Sequence, residues 1–168
     1  ILTILEIIDM SNRDYLLKYA IEYLSKYSSS KKNLDRIIKS KIRRLSKDKK
    51  IRFELYKEIT NVFDKLEKNN LLSDNNYSFT KIQSLANQGK SKNFIKNYLY
   101  SKGVDKKIII NELGNYEDSN YQWEKRSAMI FAKKKKLLNS DENYEKKLAK
   151  MARAGFSYDL CKEILSEH

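Results

Sequence analysis

Residues 99–113 read LYSKGVDKKIIINEL, and residues 151–165 read MARAGFSYDLCKEIL. Laid on each other at a shift of 52, they place Gly103-Val104-Asp105 on Gly155-Phe156-Ser157 and Leu99 on Met151. The same shift puts Ile108 on Leu160, Ile109 on Cys161 and Leu113 on Leu165. Each copy runs from an apolar helical stripe to a glycine, then a short-chain capping oxygen, then a second apolar stripe. That order spells helix, left-handed stop, turn, helix. Further back, a shift of 44 lays Asp74-Asn75-Asn76-Tyr77 on Asp118-Ser119-Asn120-Tyr121. The change of shift between the two matches, eight residues, locates an insertion in the last copy around Lys133 to Asn143.

Outward from these segments, helical spacing recurs along the chain. Leu17, Ala20, Ile21 and Leu24 form one stripe, and Leu34, Ile37, Ile38, Ile42 and Leu45 another. Leu55, Ile59, Val62, Phe63 and Leu66 form the longest, and Tyr144, Leu148, Met151 and Ala152 a fourth. Ser30, Asp74, Ser91, Asp105 and Ser157 each stand before a periodic run, where a side-chain oxygen can accept from free helix N–H groups. No proline occurs, and glycine stands only at 89, 103, 114 and 155. So few breakers fit an all-α chain of short helices, which are stable only when packed on one another. The spacing predicts helices near 14–27, 33–46 and 51–69 as a diverged first copy. The expected architecture is three tandem three-helix repeats, 14–73, 74–117 and 118–168, forming an elongated curved array, with 1–13 as an N-terminal extension.

Composition narrows the function. The 168 residues include a single cysteine, Cys161, and a single histidine, His168 at the last position. That is too little for a disulfide scaffold, a zinc site or Cys–His and Ser–His nucleophilic chemistry. The carboxylates are scattered among lysines, and no glycine-rich loop is present to cradle a phosphate. The expectation is a non-enzymatic protein with no cofactor and no metal. Ile1 to Ile8 is apolar but broken by Thr3 and Glu6, well short of the ~20 residues that span a bilayer. No basic segment precedes it, so no membrane association and a cytoplasmic place are expected.

The net charge is +13, from 35 lysines and arginines against 22 acids. Lysine in place of arginine is what codon drift in an AT-rich genome produces. An excess this large costs self-repulsion unless a polyanion or acidic partner offsets it. Two clusters stand out. Lys39, Lys41, Arg43, Arg44, Lys47, Lys49, Lys50 and Arg52 face Asp48 alone, and Lys133-Lys134-Lys135-Lys136 is an unbroken run. Such runs are commonly solvated faces or dipole-favoured helix ends; their functional reading is contact with phosphate or with an acidic protein groove. Tyr15, Tyr19, Tyr23 and Tyr27, spaced by four, suit packing better than base stacking.

With the repeat in view, the chain resembles the bacterial recombination-regulator family RecX, in a style closest to its alphaproteobacterial branch. The resemblance rests on Tyr27-Ser28-Ser29-Ser30-Lys31-Lys32-Asn33-Leu34, Leu71-Leu72-Ser73-Asp74-Asn75-Asn76-Tyr77, Gly89-Lys90-Ser91, and Ile95 and Leu99 leading into Lys102-Gly103-Val104-Asp105. It rests also on Phe131-Ala132-Lys133-Lys134-Lys135-Lys136-Leu137 and most of all on Leu148-Ala149-Lys150-Met151-Ala152-Arg153-Ala154-Gly155-Phe156-Ser157-Tyr158-Asp159. It covers roughly residues 14–166, in order. Asn33 departs from an often acidic position, and the first copy lacks the Lys-Gly that ends the middle helix.

The resemblance implies a regulator that binds the RecA recombinase filament and inhibits its DNA-dependent ATPase and strand exchange, within recombination, DNA repair and the SOS response; a monomer is expected, with no long coiled-coil seam in the sequence. The expected contacts to filament or to single- or double-stranded DNA are Lys41, Arg43, Arg44, Lys47, Lys49, Lys50, Arg52, Lys102, Lys133, Lys134, Lys135, Lys136 and Arg153. The competing reading is a helical-repeat nucleic-acid-binding module with no recombinase partner.

Overall fold

A computed structural model describes residues 12–138 and 142–166. Among the described residues there are nine α-helices and no strand: α1 (Asn12–Lys26), α2 (Lys31–Leu45), α3 (Lys49–Lys68), α4 (Asp74–Asn87), α5 (Lys92–Ser101), α6 (Lys106–Ser119), α7 (Trp123–Lys134), α8 (Tyr144–Arg153) and α9 (Tyr158–Ser166). The expected all-α class is met. Residues 1–11 of the expected extension, residues 139–141 of the expected insertion and His168 lie outside the described residues.

The chain forms two compact units. Of the described residues, the first comprises those through Tyr77 together with Lys102–Val104, and the second comprises Ser78–Ser101 and those from Asp105 onward. In the first, α1 and α2 both pack on α3. Leu34, Ile38 and Ile42 repeat every four residues and are fully buried against Leu55, Ile59, Val62 and Leu66 of α3. Burial of such side chains, at ~1.5–3 kcal/mol each, fixes which face of each helix turns inward. In the second, α9 packs on α7 and α8, and α5 on α6. Met151, Phe156, Cys161 and Ile164 pack there with Ala128, Ala132 and Leu137.

One helix junction occurs twice. In the second unit, Ser91 Oγ accepts from the Phe94 N–H at 3.1 Å and donates to the Ala154 carbonyl at 2.7 Å. The first N–H of α5, on Lys92, is taken by a Glu124 carboxylate oxygen at 2.8 Å. The positive end of α5 thus meets an acidic side chain and the negative end of α8, and its orphan donors are satisfied. In the first unit, Ser30 Oγ accepts from Asn33 N–H and donates to the Lys102 carbonyl, and the Lys31 N–H is taken by Asp74. Gly103 and Gly155 complete the two junctions at φ +78° and +92°. A Cβ on Gly155 would lie 2.6 Å from Ser91 Oγ, and one on Gly103 would collide with the stem of Lys32. Helix α2 ends instead at Ser46 in extended backbone.

Three local expectations differ from the structure. Asp74 is the first residue of α4, and Ser73 caps that helix by accepting from Asn76 N–H, which leaves the Asp74 carboxylate to dock Lys31. Asp118 lies in the last turn of α6, and α7 opens at Trp123. Tyr77 is 5 % exposed, whereas Tyr121, matched to it by sequence, is 80 % exposed. In α1, Leu16 and Ala20 enter the core, and Ile21 is exposed because Tyr19 and Tyr23 pack on the neighbouring face.

Candidate functional site

The first basic cluster surrounds the α2–α3 turn. Arg43 and Arg44 are exposed in the last turn of α2, where cations oppose the negative helix end. Lys47 is exposed in the turn. Asp48 caps α3 by accepting from Lys50 and Ile51 N–H groups. Lys49 and Lys50 are exposed in the first turn of α3, followed by half-buried Arg52, and no acid stands in that turn. Three cations at the positive end of a helix are placed against the dipole, so helix stability does not account for them. Lys41 is half-buried; its Nζ lies 5.3 Å from the Tyr19 ring centroid and 6.0 Å from that of Tyr15. That position makes Lys41 a packing cation of the α1–α2 contact. The tyrosine stripe packs as expected: Tyr15, Tyr19 and Tyr23 lie on the core of the first unit, and only Tyr27 of the four is exposed.

Lys102 is half-buried beside Gly103, and it is its backbone carbonyl that joins the Ser30 junction.

The second cluster lies at the end of α7. Lys133, Lys134, Lys135 and Lys136 are all exposed, and Lys136 takes a left-handed φ of 53° that stops the helix. Lys134 Nζ donates to the Gln88 carbonyl at 3.1 Å. Lys135 turns toward α8, where it lines a cleft of about 350 Å³ with Phe131, Lys150 and Arg153. Of the four lysines, then, the structure brings Lys135 together with Arg153, and adds Lys150. Lys150 was missed by sequence reasoning because it belongs to no unbroken basic run; its spacing of three from Arg153 is the signal that puts both on one face of α8.

The described residues hold no group of three metal-ligating side chains, and no described helix is long and apolar enough to cross a membrane. Cys161 is buried beneath Phe156, and that burial raises its thiol pKa above the ordinary range. A buried neutral thiol is a core group and a poor nucleophile.

No protein-family model matches the chain. Among curated proteins, it is 30% identical over 168 aligned positions to the regulatory protein RecX of Myxococcus xanthus, covering 92% of this chain and 86% of that protein. The chain belongs to the RecX family. A RecX of Clostridium botulinum is 36% identical over 146 positions, covering 77% of this chain and 65% of its own length. The RecX crystal structure from Lactobacillus salivarius superposes with a TM-score of 0.67 at 25% identity, covering 92% of this chain and 95% of that one. A second RecX crystal structure superposes at 0.65 with 17% identity, which carries the fold alone. The RecX relatives are named as regulatory proteins.

Proposed function

We propose that the chain binds the RecA recombinase filament and restrains it, lowering DNA-dependent ATP hydrolysis and strand exchange and so tempering recombination and DNA repair. The observation that carries this reading is membership of the RecX family across nearly the whole chain. The electrostatics support it: a net charge of +13 costs self-repulsion that an acidic or polyanionic partner would offset, and Lys49, Lys50 and Arg52 stand where helix stability disfavours them. In this reading the protein acts in the cytoplasm as a monomer, without a cofactor, through binding alone. A ligand that binds one filament state better than another shifts the equilibrium between them, and no bond chemistry is required. The two matching junctions, Ser30 with Lys102 and Ser91 with Ala154, support a tandem three-repeat architecture in which each middle helix docks on the turn of the next.

Co-sedimentation tests the partner. The chain is spun with preformed RecA–single-stranded-DNA filaments while free single-stranded DNA is added in large excess. Retention on the filament is the expected result. Transfer of the chain to the free DNA would favour a nucleic-acid module with no recombinase partner and would overturn the reading.

A further inference from the structure

The cleft at the ends of α7 and α8 combines three cations with an apolar floor. Lys135 comes from the α7 terminus, and Lys150 and Arg153 from one face of α8. The Phe131 ring lies against Phe156 with centroids 5.5 Å apart, and both rest on the core that contains Met151 and Cys161. One of the cations already holds a carboxylate. Lys150 Nζ donates to both Oε1 and Oε2 of Glu142 at 2.7 Å, and that carboxylate side chain is 26% exposed. Among the described residues, Lys135 and Arg153 have no carboxylate partner, and Arg153 Nε donates to the Ala149 carbonyl of its own helix.

The geometry points to a docking site for an acidic peptide, one that offers a carboxylate beside an apolar side chain, with Glu142 as an internal competitor for it. The apolar residue sits on Phe131, and the carboxylate reaches Lys135 and Arg153. A concavity of about 350 Å³ holds a few side chains. A single-stranded nucleic acid stacks its bases on open ring faces beside the cations, whereas Phe131 is half-buried against Phe156. Assigning the peptide to the recombinase rests on the filament reading above; the chemistry of the cleft does not.

Two fluorescein-labelled probes test the site by anisotropy on the full chain: a short peptide alternating Glu-Leu-Asp-Phe, and an oligo-dT of matched charge. Lys135→Glu with Arg153→Glu is expected to weaken the peptide by about tenfold or more and the oligonucleotide by less than about twofold. Glu142→Gln, which releases Lys150, is expected to tighten the peptide by about threefold. Replacing Leu and Phe of the peptide by Ser is expected to weaken it as well. Lys135→Ala, at an exposed position, reads the same contrast should the double variant lose its helical circular dichroism. Unchanged peptide affinity in a folded variant overturns the proposal, and so does a loss confined to the oligonucleotide. Peptide binding by a chain that leaves RecA unaffected would uphold the cleft and remove the filament reading; inhibition of RecA with no peptide binding would do the reverse.

Discussion

The Ser91 hydroxyl donates to the Ala154 carbonyl over 2.7 Å while it accepts from the N–H of Phe94. One fully buried oxygen therefore caps the start of α5 and closes the end of α8. Removing it strands both a donor and an acceptor, and a buried polar group without a partner costs about 1–3 kcal/mol.

Ser91→Ala is accordingly expected to lower the stability of the second unit by about 1–3 kcal/mol. Trp123 is the sole tryptophan and is buried in that unit, so its fluorescence reports the unit selectively. Urea titration followed by tryptophan emission should show a lower midpoint at an unchanged slope. A midpoint equal to the parent's would mean that the junction contributes nothing.

Gly155 and Gly114 make a matched pair with opposite signs. Gly155 sits at φ +92°, with Ser91 Oγ in the way of any Cβ, so Gly155→Ala should cost at least about 1–2 kcal/mol. Gly114 lies inside α6 with nothing within 4 Å of an added Cβ. Gly114→Ala should stabilise by about 0.5–1 kcal/mol. Thermal melts of the two variants check the signs directly.

Lys49 and Lys50 separate stability from binding. Both oppose the dipole of α3, so Lys49→Glu with Lys50→Glu should raise stability by about 0.3–1 kcal/mol at low salt. The same change should weaken inhibition of RecA. A variant that is more stable and equally inhibitory would remove this cluster from the interface.

Local and long-range features differ in how far the sequence discloses them. The helical class, the caps at Ser30 and Asp105 and the stops at Gly103 and Gly155 are local, and local chemistry determines them. The Asp-x-x-Tyr match at Asp118 misled because α6 runs through Asp118 and α7 opens only at Trp123, which packs edge-on to Tyr116 at 5.5 Å and takes the interior while Tyr121 faces water. Asp74 has the composition of a cap but serves a docking contact 43 residues away in sequence, which no local pattern encodes. The cleft is illegible for the same reason, since Lys135 and Lys150 meet through the packing of α7, α8 and α9 on one another.

Cys161 supplies a pH prediction. Burial raises its pKa, so the folded chain keeps the proton where the unfolded chain loses it. Below the ordinary thiol pKa of about 8.5 both states are protonated and the cysteine adds no pH dependence. Above it the unfolded state is favoured by ionisation, and stability contributed by this group falls as pH rises. Cys161→Ala should flatten that alkaline decline in urea midpoint, and the native thiol should resist alkylation until the chain unfolds.

In the proposed mechanism a few molecules restrain a whole filament, and titrating this protein into RecA hydrolysing ATP on excess single-stranded DNA at fixed salt tests it. Inhibition at far fewer molecules than RecA subunits is the predicted result. Inhibition that begins only when the protein suffices to coat the DNA, or none at any ratio, would contradict it.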